Sequence, residues 1–213
     1  MANFEAKIRG MKHAYFCMLS VVGLLSLVGC SATKFVPAGQ YLLNKATVKV
    51  EDTHEVLSQD LRNYLQQKQN TEILGFWKLQ LGIYNTASQD TAKWTSRNAR
   101  KIGEPPVIFS EELTERSMQQ LENAMDNKGY FQAEIDTTKE VKDKKLNLTY
   151  HVTANTPYHI RNYTISFPNA DLQQIAASER FRLLHEGMRF DVDAMNQERQ
   201  RVASAMRRNG CYY

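Results

Sequence analysis

The sequence predicts an α+β protein built of tandem β-α-α-β-β modules behind a lipoprotein signal peptide, with the second module incomplete and no β-barrel. Three observations predict it. A helical face recurs 81 residues on: Leu121, Ala124, Met125 and the stop at Gly129 return as Val202, Ala205, Met206 and Gly210. The first of these helices leads into two alternating segments, Phe131, Ala133, Ile135 and then Leu146, Leu148, Tyr150, Val152. An apolar N-terminal stretch ends in Leu27, Val28, Gly29 and Cys30, which separates targeting from fold.

Residues 1–29 read as a secretory signal. Lys12 and His13 supply a basic head, residues 15–28 an apolar middle, and Gly29 the small residue before the cut. The Cys30 thiol takes a diacylglycerol and cleavage after Gly29 frees its amine for a further acyl chain, so Cys30 is the predicted lipidation site. Several acyl chains anchor more firmly than one, because each buried CH₂ contributes roughly 0.8 kcal/mol. The competing reading is a transmembrane helix. The run from Ala14 to Gly29 holds two glycines and two serines, and it falls short of the ~20 residues that a span needs. Glu5 is out of place ahead of an apolar region, which puts the translation start at Met11.

The 213 residues carry 27 basic and 23 acidic side chains, a formal charge of +4. Lys7, Arg9, Lys12 and Glu5 leave with the signal, which halves that charge and removes any electrostatic case for nucleic acid as a partner. Cys17 leaves as well and Cys30 is the lipid site, so Cys211 stands alone and no intramolecular disulfide can form. Its thiol reads as a small packed group, with a reactive thiol as the alternative.

Residues 30–40, with Pro37 and Gly39, lack periodicity and read as a lipidated tether. The first module is expected over residues 41–154. Thr47, Val48, Lys49 and Val50 predict its opening strand. Ser58 offers an N-cap, and Leu57, Leu61, Tyr64 and Leu65 recur at helical spacing towards Asn70. Residues 70–107, approximately, read as an insertion rich in aromatic and apolar side chains: Phe76, Trp77, Leu79, Leu81, Ile83, Tyr84 and Trp94, with Lys78, Lys93 and Arg97 among them. Such a segment either packs as core or meets a partner or a membrane interface, where Trp and Tyr are at home.

Ser110 caps the next helix, whose first turn holds Glu111 and Glu112 against the helix dipole. Its apolar face is Leu113, Ser117, Leu121, Ala124 and Met125, and Gly129 after Lys128 gives a stop with positive φ. Two strands follow, joined around Lys142, Asp143 and Lys144. The order β-α-α-β-β gives a three-stranded sheet with two helices on one face. A partial second module is expected over residues 155–213, with a strand at 158–167, a short helix at 172–177 and a helix capped by Asp191 that carries Val192, Met195, Val202 and Met206. The opening strands are offset by about 116, taking Thr47 against Tyr163, so the first copy carries an insertion of about 35 residues relative to the second.

Repeated β-α-α-β-β modules behind a lipobox resemble the POTRA domains of outer-membrane insertases related to BamA and TamA. Gly103, Glu104, Pro105, Pro106 and Val107, continuing through Leu113, Thr114, Glu115, Arg116 and Ser117 to Asn127, Lys128, Gly129, Tyr130 and Phe131, are similar in particular to TamL, the lipidated branch in Bacteroidetes. Cys30, Ser31, Pro37, Tyr41, Leu42 and Leu43 fit that branch, as do Phe190, Asp191, Val192 and Asp193. The resemblance implies a lipoprotein of the outer-membrane assembly machinery, held by its lipid anchor, with nascent outer-membrane proteins or partner subunits as its ligands. Ser31, Ala32 and Thr33 lack the acidic run associated with surface export, so the domains are expected to face the periplasm. Family members continue into a membrane β-barrel, whose strands of roughly ten alternating residues do not follow here. The alternative is therefore a truncated remnant, or a fragment, of a full-length insertase without independent activity.

The candidate binding residues come from the sheet edge. An open edge presents unpaired N–H and C=O groups, and an unfolded outer-membrane protein is a chain of amphipathic strands. Residues 130–136 are expected to form that edge, with Tyr130, Phe131, Gln132, Ala133, Glu134 and Ile135 as partner-binding candidates; a merely solvated edge is the other reading. No catalytic residue, metal ligand or small-molecule substrate is predicted, and no cofactor beyond the covalent lipid on Cys30. His54 with Glu55 and His185 with Glu186 lack the HExxH spacing, and there is no Cys/His cluster, GxSxG elbow or glycine-rich phosphate loop. A cell-envelope enzyme would need carboxylates assembled only in space.

Overall fold

The computed structural model describes residues 32–75, 77–88, 93–176 and 182–211. Gly29, Cys30 and the rest of the predicted signal lie outside the described residues, as do Phe76 and Ala177. Strands β1 (Leu42–Val50), β2 (Glu134–Lys142) and β3 (Lys145–Thr153) form a sheet in the order β1-β3-β2. Between β1 and β2 run α1 (Ser58–Leu61), prolonged by a 3-10 turn over Arg62–Tyr64, then α2 (Leu79–Thr86), α3 (Trp94–Ile102) and α4 (Glu111–Asn127). After β3 come α5 (Ala170–Ala176) and α6 (Val192–Arg208).

The β2–β3 hairpin turns on two residues, Asp143 at φ 49° and Lys144 at φ 59°. Two successive positive φ values give the mirror-image turn whose twist matches that of the flanking strands. A two-residue turn also fixes the register. Lys142 faces Lys145, so Ile135, Thr137, Lys139 and Val141 stand opposite Val152, Tyr150, Leu148 and Leu146. In β3 these last four are buried and alternate with half-buried residues, as befits a central strand with one covered face. Strand β1 pairs with β3 in parallel: the Leu42 N–H donates to Lys144 O (2.9 Å) and the Glu51 N–H to Val152 O (3.1 Å). A parallel pair requires a long crossover, which the helices supply.

The chain divides into two compact units. The first comprises residues 1–45, 68–109 and 140–147. Val36, Leu42 and Leu81 form its apolar cluster, with Ala32 and Ile108 against it. The Lys34 ammonium donates to the carbonyls of Asn85 (3.0 Å) and Ala87 (2.8 Å) at the C-terminus of α2, where the helix dipole favours a cation. Phe35 meets Tyr84 edge to face, with ring centres 5.5 Å apart. Residues 32–36, inside the stretch 30–40 that Pro37 and Gly39 mark as a tether in the sequence, are therefore packed structure.

The insertion holds α2, α3 and a bridge pairing Ile73 with Trp77. A Cβ on Gly103 would lie 2.5 Å from Tyr84 N and 2.7 Å from Ala99 O, so only glycine fits between α2 and the end of α3. The chain then returns through a clamp on buried Asn70. Asn70 Nδ2 donates to Pro105 O (2.7 Å), its Oδ1 accepts from Val107 N (3.1 Å), and Val107 O accepts from Leu43 N (2.8 Å).

The second unit comprises residues 46–67, 110–139 and 148–213. Its first helix is shorter than the sequence pattern suggests, ending with the 3-10 turn at Tyr64 and not near Asn70. Leu57 occupies the N-cap position without a side-chain bond, and Ser58 Oγ instead accepts from Val50 N (3.3 Å). Beyond Leu65, side chains distant in sequence hold the backbone: Gln66 N–H donates to Ser117 Oγ (3.0 Å), and Gln67 Oε1 accepts from Ser110 N (3.1 Å).

Helix α4 follows its pattern closely. Ser110 Oγ accepts from Leu113 N (3.4 Å), and Thr114, Ser117, Leu121, Ala124 and Met125 are buried, Thr114 replacing the half-buried Leu113 on the inner face. Gly129 at φ 88° closes it: Gly129 N–H donates to Asp126 O (2.9 Å) and Tyr130 N–H to Met125 O (3.0 Å). Helix α6 has the same length and the same ends. Asp191 Oδ1 accepts from Ala194 N (2.9 Å), Gly210 N–H donates to Arg207 O (3.1 Å) and Cys211 N–H to Met206 O (3.0 Å). The half-buried Cys211 thus serves as the last residue of a helix stop. Residues 158–167, expected as a strand, are not one. A strand needs a ladder, and among the described residues they carry a single bridge, His159 to Arg189.

Candidate functional site

The outer edge of the sheet is β2. It has β3 on one side, and its nine residues are exposed or half-buried. Because Lys142 and Lys145 close the hairpin as a bonded pair, Glu134, Asp136, Thr138, Glu140 and Lys142 turn their main-chain groups towards β3. Those of Ile135, Thr137 and Val141 point away from it. At the opposite edge, the start of β1 is already occupied. Leu43 N–H donates to Val107 O and Phe109 N–H to Tyr41 O (2.9 Å), and Leu42 bridges Ile108 in antiparallel sense.

Of the six candidate edge residues, the structure places two, Glu134 and Ile135, in the strand. Tyr130 is buried at 1% exposure, its N–H spent on the α4 stop and its hydroxyl donating to Glu55 Oε2 (3.2 Å). Ala133 N–H turns back to Tyr130 O (3.1 Å), and Gln132 O accepts from Asn155 Nδ2 (2.8 Å). Phe131 meets Tyr158 edge to face and Phe190 at a tilt, each 5.2 Å away between ring centres. The strand therefore starts at Glu134 and not at Tyr130, and it runs on through residues the sequence reading assigned to the connecting loop. The positive-φ pair Asp143 and Lys144 marked the true turn; β2 could have been counted back from it.

Side chains brace this edge on both faces. Thr138 Oγ1 meets His151 Nε2 (3.0 Å), whose Nδ1 meets Glu51 Oε1 (2.7 Å), a polar chain that crosses the sheet from β2 to the end of β1. Lys139 forms an ion pair with Glu111 in the first turn of α4. Tyr150, buried on β3, faces the hydroxyls of Ser117 and Thr114, and burial pushes its phenol above the ordinary range. Asp52 fixes the end of β3: its two carboxylate oxygens accept from Ala154 N (2.8 Å) and Asn155 N (2.7 Å). Burial raises its pKa, but these backbone donors outweigh burial and hold the carboxyl below its usual value.

The segment after β3 is tied back to the end of α4. Tyr158 N–H donates to Gly129 O (2.8 Å), Phe190 N–H donates to Tyr158 O (2.8 Å), and Arg189 donates to Tyr130 Oη (3.1 Å) and pairs with Glu55. An open cleft of about 610 Å³ lies beside this junction, lined by Glu55, Arg189, Asp191 and Asp193. Arg189 is already paired there and Asp191 caps α6. Among the described residues no group of three His, Cys, Asp or Glu side chains is placed to hold a metal, and no helix is long and apolar enough to cross a membrane.

The POTRA family model, described as a surface antigen variable number repeat, matches residues 46–155, just over half of the chain. The chain belongs to the POTRA family. The POTRA match takes in α1 to α4 and the whole β2–β3 hairpin, and so contains the candidate edge. No curated protein matches the chain. Among solved structures, the crystal structure of Haemophilus influenzae BamA POTRA3-5 is similar at 14% identity, covering 80% of this chain and 88% of that chain with a TM-score of 0.27.

Proposed function

We propose that this POTRA protein is a lipid-anchored, non-catalytic factor of outer-membrane protein assembly. It binds nascent outer-membrane strands, or strands of partner subunits, by adding them to β2. The anchor is the acylated Cys30, and the domains face the periplasm because Ser31, Ala32 and Thr33 lack the acidic run associated with surface export. One observation carries this reading: among the described residues β2 is a nine-residue strand with a neighbouring strand on one side, whereas the start of β1 is covered by residues 107–109. An edge of that kind offers main-chain donors and acceptors to an extended peptide, and alternate side chains set its register. The charges on β2, from Glu134 and Asp136 to Lys142, keep the edge from pairing indiscriminately.

Proline separates pairing from folding. Thr137→Pro removes an outward N–H and leaves the β3 ladder whole, so crosslinking of β2 to strand peptides from outer-membrane proteins is expected to fall while the circular dichroism stays unchanged. Thr138→Pro removes an inward N–H and is expected to unfold the hairpin. Undiminished crosslinking in folded Thr137→Pro protein would end the proposal.

A further inference from the structure

We propose that α3 is a membrane seat: with Cys30 acylated, the exposed face carrying Trp94, Arg97 and Lys101 lies among the lipid headgroups of the leaflet that holds the anchor. This rests on the reading of Cys30 as the lipid site. The observation behind it is how little chain separates that site from packed structure. Cys30 precedes Ala32 by two residues, an extended reach of ~7 Å, and Ala32 packs against the cluster of Val36, Leu42 and Leu81. A tether of ten residues would let the protein stand clear of the membrane; one of two residues does not.

The insertion grips the same short segment. Lys34 holds the end of α2, and the Arg100 guanidinium of α3 lies 5.6 Å from the centre of the Phe35 ring. Arg100 Nη2 also donates to Ser88 O (3.1 Å), and Ser96 Oγ accepts from Ser88 N (3.0 Å), so α3 is fastened to the end of α2 that Lys34 caps. Helix α3 is thereby held close to wherever the acyl chains enter the bilayer.

Its composition suits that place. Trp94 is 69% exposed, a high figure for a large apolar ring. Arg97 and Lys101 follow three and seven residues later, within about 60° of Trp94 around the helix axis, and both are exposed. The buried side is marked by Ser96. Residues 91–103 contain no acidic side chain. An indole at the headgroup level, flanked by cations that meet lipid phosphates, is the chemistry of an interfacial helix.

The test uses the full chain, purified from membranes of a host that acylates it, in a Trp77→Phe background that leaves Trp94 as the sole tryptophan. In vesicles of phosphatidylethanolamine and phosphatidylglycerol with brominated acyl chains, Trp94 emission is expected to shift to the blue and be quenched. Arg97→Glu with Lys101→Glu is expected to undo both effects. Unshifted, unquenched emission from protein recovered with the vesicles overturns the seat, as does quenching that appears only when a second protein is added. The mass of the N-terminal peptide reads acylation separately. If Cys30 carries no lipid, that premise fails by itself. The seat is then tested with a maleimide lipid coupled to Cys30 in a Cys17→Ser, Cys211→Ser background, where quenching keeps it and its absence ends it.

Discussion

Ser117 and Glu198 hold the same place on α4 and α6, the seventh residue of each helix, and each accepts a backbone N–H from the chain that precedes its helix. Ser117 Oγ takes the N–H of Gln66 (3.0 Å), and Glu198 Oε2 takes that of Leu183 (3.0 Å). The two acceptors are 81 residues apart and the two donors 117 apart, which reproduces the helix and strand offsets of the internal repeat. A hydroxyl suffices in the first copy. In the second, a carboxylate at 1% exposure also binds Arg201 through two bonds of 2.8 Å and accepts from the Tyr163 hydroxyl (3.0 Å).

That carboxylate should make the second copy acid-sensitive. The Arg201 hydrogen bonds hold the Glu198 pKa down at about 2 although burial raises it, with Leu183 and Tyr163 assisting. A depressed folded-state pKa gives stability that is full above the unfolded value of 4.5 and fades as pH falls towards 2. Glu198→Gln is expected to flatten that acid limb in urea melts taken from pH 6 to pH 2. Glu198→Ala, which strands the half-buried Arg201, should cost about 3 kcal/mol at neutral pH.

The Asn70 clamp should matter more than its polarity suggests. Asn70→Ala leaves the Pro105 carbonyl and the Val107 N–H unpaired, a cost of about 1–3 kcal/mol for each group left buried. Denaturant melts of the purified chain measure the loss, and a change within experimental error would show that the insertion is held by other contacts.

Gly129→Ala tests the tie between the α4 stop and the following segment. Its φ of 88° already disfavours a side chain, and a Cβ would lie 2.5 Å from Phe190 O. The variant is expected to lose at least 1 kcal/mol. It should also expose the Phe131, Tyr158 and Phe190 cluster to near-ultraviolet difference measurements. Gly210→Ala, with the same φ class but open space around its Cβ, should cost only the conformational part.

Asp52→Asn should loosen the end of β3. Its carboxylate receives the N–H groups of Ala154 and Asn155, the latter at φ 59°. The wild-type contribution is present above the ordinary Asp pKa and is lost as pH falls through the lowered folded value, so the variant should melt earlier at pH 7 and no differently at the acid extreme. Amide exchange at Ala154 and Asn155 reads this locally.

Much of both copies was legible in the residues. Ser110, Gly129, Asp191 and Gly210 set the ends of α4 and α6, and Asp143 with Lys144 sets the hairpin, because caps and tight turns are settled by atoms within four or five residues of one another. The alternation of Leu146, Leu148, Tyr150 and Val152 was equally plain, since a central strand buries one full face. The errors have a common cause. Tyr130 and Phe131 alternate with their neighbours as a strand would, but the Tyr130 N–H belongs to the helix stop before it.

The sequence by itself determined the two capped helices, the hairpin and the repeat that relates α4 to α6, all of which rest on short-range bonds and side-chain periodicity. Tertiary structure alone decided where α1 ends, which sheet edge stays open and how residues 32–36 are held. Each of those depends on groups dozens of residues away, such as Ser117 on Gln66, Val107 on Leu43 and Asn85 on Lys34, whose hydrogen bonds outweigh local preference only once the chain has brought them together.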